Sequence, residues 1–340
     1  MSSTILARLS FLSRRPVLSL QNSGSFGGRQ GWRSLLHKGT HHRLPFQSTR
    51  ALGSHTADKM DSPCLVAVGQ MTSIGDKNAN FQTCSKLAKE ASAAGCAALF
   101  LPECFSFIGT SWKQSIAAAE PLDGPTMARY QQLARDTNLW LSLGGFQQRN
   151  NKDPERIYNT HVMLNSDGSI VALYSKVHLF DVDVPNGPVL MESRFTSPGD
   201  RLVSCETPFG RVGLTVCYDL RFPEVYQQLS HEEGATVLTV PSAFTKPTGE
   251  AHWEILLRAR AIETQSYVIA AAQAGRHNEK RESYGHSLIV DPWGTVVGRL
   301  EDPLATGIAT AEIDPAKLQQ VRARMPVREH RLAGKAVMGK

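Results

Sequence analysis

The sequence predicts an α/β domain with a mixed sheet or two sheets, built from about residues 62–330. Three observations predict it. Short apolar runs of strand length alternate with segments of helical period. Two pairs of runs are joined by the tight turns "NSDGS" and "DPWGT" and so read as hairpins. No internal repeat or mid-chain boundary divides the 340 residues, a length that one large domain can fill.

Each element follows from its local pattern. "CLVAVGQ" (64–70) reads as a buried first strand. In "NANFQTCSKLAKEASAAGC", residues Phe81, Cys84, Leu87, Ala88 and Ala91 recur at three-and-four spacing, which is a helix, and Gly95 stops it. "AALFLPE" is a second strand, "TMARYQQLARDTN" a second helix and "LWLSLGGF" a third strand. "YNTHVMLNSDGSIVALYSKVHLF" is a hairpin and "RVGLTVCYD" a further strand. Pro223 suits the first turn of the helix in "FPEVYQQLSHEEG". "ATVLTVPSAF" is a strand and "AHWEILLRARAIETQ" a long helix. "YVIAAAQAG", "GHSLIVDPWGTVVGRL" and "IATAEID" supply the remaining strands.

Composition narrows the function. Hydrophobic residues make up 41% and charged residues 20%, as in ordinary globular proteins. The net charge of +6 comes from the N-terminal arm. Residues 1–50 hold eight Lys/Arg and no Asp or Glu, which leaves residues 51–340 at −2. A near-neutral folded part argues against nucleic acid as a partner. No apolar run approaches the roughly 20 residues of a membrane span. The arm, residues 1–58, is Arg- and Ser-rich with the apolar start "ILARLSFLSRRPVLSL", the pattern of a mitochondrial transit peptide rather than a plain basic tail. Met60 offers a second start and hence a cytosolic form, an expectation that N-terminal sequencing decides. Six cysteines with no CxxC pair point to neither a disulfide framework nor a metal site.

Three apolar runs end on residues able to do chemistry: "AALFLPE" at Glu103, "IVALYSK" at Lys176 and "VGLTVC" at Cys217. Alone, each has a bland reading: a solvated turn carboxylate, a snorkelling lysine, a core cysteine. Together they form a chemical set, because ligands of α/β sheets bind beyond strand carboxyl ends. A thiol is mostly protonated at neutral pH and needs a base to attack. Glu103 can take that proton and later return one to a leaving amine. Lys176 can stabilise a thiolate and an oxyanion, and the Tyr218 N–H offers a second oxyanion donor. The reaction class is acyl transfer to water at a carbonyl or nitrile carbon.

The motifs "LPE", "YSKVHLF" and "CYDLRFPE", in that order, resemble the Glu–Lys–Cys motifs of the nitrilase, or carbon–nitrogen hydrolase, superfamily. "PSAF", "HWEILLRARAIE" and "GHSLIVDPWG" extend the resemblance over essentially all of residues 62–330. It implies an α-β-β-α sandwich, extended across a homodimer or larger homo-oligomer. It also implies a thioester acyl-enzyme and no metal or organic cofactor. Family amidases carry a second glutamate in a loop after the lysine, a place that Glu192 fills here, against the bland reading of a surface carboxylate. Nitrile-cleaving members show Trp-Glu-Asn after the nucleophile. Tyr218-Asp219-Leu220 stands here instead and points to the amidases, hydrolases of linear amide bonds.

Within that branch, "GRHNEKRESYGHS" carries a likeness that implies a substrate with an α-keto acid head and a Cys-Gly tail. Cleavage releases 2-oxoglutarate and cysteinylglycine, a metabolite-repair step placed in mitochondria and cytosol. Tyr218 and Phe222 are candidate pocket residues. Arg221 can grip a carboxylate bidentately, unless it pairs with Asp219 or Glu224. Thr245 can add a hydroxyl, unless it merely ends a strand. Arg276, His277, Lys280 and Arg281 read as a solvated loop, against the alternative that they meet the glycine carboxylate of the tail. Residues 331–340, "LAGKAVMGK" after Arg331, form a tail that departs from the family's Asp-Leu-Tyr-like continuation. The competing readings are an ω-amidase acting on α-ketoglutaramate and a scaffold for a histidine-triad nucleotide-binding partner. A β-ureido acid hydrolase has no support beyond the triad, and a papain-like pairing of Cys217 with His178 or His252 has no local signature.

Overall fold

The computed structural model describes residues 62–183 and 189–331. The transit-like arm, Met60 and residues 332–340 of the tail lie outside the described residues. In chain order come β1 (Cys64–Met71), α1 (Lys77–Ala93), β2 (Ala98–Leu101), α2 (Trp112–Ala118), α3 (Pro125–Thr137) and β3 (Trp140–Arg149). β4 (Ile157–Leu164) and β5 (Ile170–Ser175) form the first expected hairpin, followed by the short pair β6 (Asp181–Asp183) and β7 (Val189–Met191). β8 (Val203–Thr207), β9 (Gly210–Leu214), α4 (Pro223–His231), β10 (Val237–Thr239), α5 (Lys246–Thr264) and β11 (Tyr267–Ala270) come next. β12 (Ala272–Asn278), β13 (Arg281–Tyr284), β14 (Leu288–Val290), β15 (Val296–Arg299), β16 (Gly307–Ile313) and α6 (Pro315–Arg324) complete the series.

Two mixed sheets result. One runs β13-β12-β1-β2-β3-β4-β5, with β16 also paired to β1. The other runs β15-β14-β11-β10-β9-β8. The strands β12-β1-β2-β3 and β9-β10-β11 are parallel; hairpins and the longer-range pairs β1–β16 and β11–β14 supply the antiparallel pairings. Alternate residues of β1 serve two layers, since successive side chains point to opposite faces. Val66 and Val68 join Phe100, Val212 and Leu214 between the sheets. Ala67 instead joins Leu99, Leu141, Leu87 of α1 and Met127 and Tyr130 of α3. Leu229 of α4 and Trp253 and Leu257 of α5 belong to the core that holds the second sheet. The order is therefore helix, sheet, sheet, helix, the expected α-β-β-α sandwich.

Four of the expected segments fold differently from the expectation, and α2, β6, β7, β8 and α6 are additional to it. "YVIAAAQAG" is two strands, not one: β11 lies in the second sheet and β12 in the first, and the chain crosses between layers at Ala271. Both layers are buried, so the apolar run gives no sign of the crossing. "RVGLTVCYD" ends as a strand at Leu214, and Cys217–Arg221 is a turn of 3-10 helix. The segment from Arg276 to Arg281 is no simple solvated loop. It belongs to the β12–β13 hairpin, and His277 is buried there while Arg276, Lys280 and Arg281 stay exposed. The fourth difference is at α5, which starts earlier than expected, at Lys246, with Pro247 in its first turn.

Arg322 of α6 and Arg328, four residues beyond its end, complete two other helices. Arg322 donates to the Gln265 carbonyl (3.1 Å) and Arg328 to the His231 carbonyl (2.8 Å). Cations thus satisfy the carbonyl ends of α5 and α4, where the helix dipole is negative.

Candidate active site

Gly144 of β3 packs directly against Pro241, in the segment that follows β10. A Cβ on Gly144 would overlap both Pro241 Cβ and the Leu101 carbonyl, so only glycine fits. The Pro241 carbonyl in turn accepts the Cys217 N–H at 2.9 Å. This seam carries the site.

Cys217 sits in left-handed backbone (φ 49°), which a non-glycine residue adopts only when its surroundings hold it there. Glu103 lies two residues beyond β2 and is buried. Its Oε1 accepts from Asn159 Nδ2 (2.8 Å) and from Lys176 Nζ (3.2 Å), and its Oε2 accepts from the Ala243 N–H (3.0 Å). Lys176 follows β5 and is buried too. Its Nζ also donates to Glu192 Oε2 at 2.8 Å. Glu192 opens a short 3-10 turn after β7 and is fixed by the Phe180 N–H at 2.7 Å. Glu103 and Lys176 therefore come from the first sheet, Cys217 and Ala243 from the second.

The electrostatics follow from burial and pairing. Burial alone raises the Glu103 carboxyl, but the Lys176 ammonium, with help from Cys217, Arg281 and Asn159, reverses this and holds it below the usual range. Burial works against the Lys176 charge as well, and Glu103 and Glu192 overcome it and push its pKa well up. Burial and the Glu103 charge push the Cys217 thiol well above its ordinary value, against the pull of Lys176. The resting site thus holds a protonated sulfur beside an ionised base and a fixed cation. A thiolate at Cys217 would require its proton to pass to a base, and the Glu103 carboxylate stands beside it.

The remaining expected site residues sort clearly. The Tyr218 ring packs edge-on against Phe180 (4.9 Å) and Phe222 (5.4 Å). The Arg221 guanidinium lies over Tyr218 (5.9 Å) and Phe244 (5.7 Å). It has no carboxylate partner among the described residues. The alternative pairing with Asp219 is excluded, because Asp219 is bound to Tyr174 and His178. Arg221 instead donates to His252 Nδ1 at 3.3–3.4 Å. Thr245 is the residue before α5, and its hydroxyl meets that of Thr248 at 2.8 Å. The two histidines of the papain-like alternative, His178 and His252, are thus occupied with Asp219 and Arg221.

Asn159 and Ala243 were not singled out from sequence. A backbone N–H leaves no signature in a residue name, and Asn159 hides inside a strand. Among the described residues no cluster of three or more His, Cys, Asp or Glu could hold a metal ion, and no helix is long and apolar enough to cross a membrane.

Comparison with known proteins agrees with this geometry. The family model for carbon-nitrogen hydrolases matches residues 65–323. A Homo sapiens deaminated glutathione amidase is 53% identical over 270 residues, covering 78% of this chain and 82% of that protein. Its Rattus norvegicus counterpart is 50% identical over 285 residues, covering 83% and 86%. The crystal structure of the Caenorhabditis elegans NitFhit protein superposes with a TM-score of 0.75 at 46% identity, covering 79% of this chain and 65% of that one. A Saccharomyces cerevisiae protein from branch 10 of the nitrilase superfamily gives 0.70 at 32% identity, covering 80% and 97%. With the fold, the matched span and these identities in agreement, the chain belongs to the carbon-nitrogen hydrolase family.

Proposed function

We propose that this chain is an amidase that hydrolyses deaminated glutathione to 2-oxoglutarate and cysteinylglycine. The observation that carries the chemistry is the buried convergence of Glu103, Lys176 and Cys217 across the seam. The likeness to deaminated glutathione amidases supports the substrate.

Glu103 takes the Cys217 proton as sulfur attacks the amide carbon. Lys176 Nζ and the Tyr218 N–H receive the developing oxyanion. Collapse returns the proton to the cysteinyl nitrogen, cysteinylglycine leaves, and a thioester remains on Cys217. Glu103 then deprotonates a water that attacks the thioester, and 2-oxoglutarate departs. Glu192 holds Lys176 from its other side. Arg221, stacked between two rings and free of a carboxylate, binds the α-keto acid head bidentately. Thr245, the residue after Phe244, adds a hydroxyl to that head's binding.

The test is release of 2-oxoglutarate from deaminated glutathione, beside α-ketoglutaramate. Wild type is expected to prefer the longer amide and Cys217→Ala to lose all turnover. Arg221→Met should raise KM for either acid about tenfold or more, the loss of one charge-assisted anchor. Preference for α-ketoglutaramate, or turnover without Cys217, would overturn the reading. The same reading includes a homodimer covering the exposed Ile255 and Ile262 of α5, and light scattering that finds only monomer would remove that part.

A further inference from the structure

Asp219 stands two residues past Cys217 and is fully buried. Its Oδ2 accepts the Val216 N–H (2.9 Å) and the Tyr174 hydroxyl (2.7 Å). Its Oδ1 lies 3.1 Å from the His178 N–H and 2.9 Å from His178 Nδ1. An ionised carboxylate only accepts, so Nδ1 carries the proton. Four donors fill the four lone-pair positions, and none comes from Arg or Lys.

The sources of those donors matter. Tyr174 lies two residues before Lys176, and His178 two residues after it. Val216 directly precedes Cys217. One carboxylate therefore grips the lysine segment on both sides, at the edge of the first sheet. It also grips the nucleophile turn, which hangs from the second. The clamp continues through the His178 ring, stacked on Phe222 at 3.7 Å and 10°, and Phe222 packs against Tyr218. The Asp219 carboxylate makes no hydrogen bond or ion pair with Cys217, Glu103 or Lys176, so it lies outside the proton-transfer set.

We infer that Asp219 is a positioning residue that holds Lys176 and Cys217 at their working separation across the seam. The role requires a carboxylate. An asparagine of the same shape has one acceptor oxygen and an NH₂ that faces a donor, so at least one grip fails and leaves a buried donor unpaired. The inference rests on the proposed amidase reading for its turnover arm only.

The test uses the full chain and two variants, Asp219→Asn and Tyr174→Phe. Turnover of the amide is measured, and alkylation of Cys217 by iodoacetamide is followed against pH by mass spectrometry of the Cys217 peptide. For Asp219→Asn, kcat normalised to folded protein should fall about 100-fold with KM within about threefold, the pattern of a lost transition-state contact. The pH midpoint of Cys217 alkylation should move upward, because Lys176 no longer sits at its place beside the sulfur. Tyr174→Phe removes one donor and keeps the other three, and should move both readouts the same way by about tenfold or less. A merely structural Asp219 would lower the melting temperature and leave the kcat of the folded fraction and the alkylation midpoint unchanged, which overturns the inference. Should Asp219→Asn not fold, an unmoved Tyr174→Phe overturns it equally. Alkylation needs no substrate, so a wild type inactive on the amide sinks the function reading while the alkylation arm still judges Asp219.

Discussion

Lys176→Met will lose about 3–5 kcal/mol of stability at neutral pH, the range for breaking a buried ion pair from one side. Glu103 and Glu192 both lean on this ammonium, at 3.2 and 2.8 Å, and the lysine side chain is 2% exposed. Methionine fills the space and leaves two facing carboxylates with no cation between them. The pH dependence identifies the cause. In wild type the Glu103 carboxyl is held below its unfolded value, so its contribution is complete above the unfolded value and is lost as pH falls from there through the lower folded value. Without Lys176, burial raises the same carboxyl instead, and folding then takes up a proton. The variant's deficit should therefore shrink as pH falls from 7 toward 5. Urea denaturation at several pH values measures it, and a deficit constant with pH would show that lost packing, not charge, is responsible. Turnover should fall by about 10²–10³ or more, as for an oxyanion donor.

Acid should weaken the wild-type protein well above the carboxylate range. His161 bridges Ser142 Oγ (2.7 Å) and the Thr215 carbonyl (3.0 Å) between the two sheets. His277 bridges the Ser73 carbonyl and Ser283 Oγ, both at 2.8 Å. Burial lowers both to about 4, and Arg281 adds to the effect at His277. The unfolded chain binds these protons near pH 6.5, so stability is full above that value and falls as pH drops from 6.5 to about 4. Each histidine contributes about 3 kcal/mol over that span, from roughly 1.4 kcal/mol per pKa unit. Together they should remove roughly 3–4 kcal/mol between pH 7 and 5. Thermal melts across that range measure it, and His161→Gln should flatten the slope by about half. Stability that stays level from pH 7 to 5 would contradict the assignment.

The site was more legible than its frame. Glu103, Lys176 and Cys217 each close an apolar run, and that position gives a chemically able side chain away without any coordinates. Arg221 was legible as a cation but not as one free of a carboxylate, because Asp219 is only two residues away in sequence and committed to the other sheet in space. His277 looked solvated among Arg276, Lys280 and Arg281, since local composition does not report that a hairpin folds one of its side chains inward. β8 escaped notice because "VSCET" is a half-buried margin with mixed polarity. α6 did leave a signal: Asp314 before Pro315, whose side chain accepts the Ala316 N–H at 2.8 Å.

The glycine at the seam has a kinetic meaning. Glu103 and Lys176 hang from one sheet and Cys217 from the other, and Gly144 against Pro241 sets how closely the two can approach. Neither sheet holds a complete set of reacting groups. A refolding chain with both sheets formed but not yet docked would carry every functional side chain and still be inert. Regain of turnover therefore timestamps the closing of the sandwich, while a probe of secondary structure timestamps an earlier event.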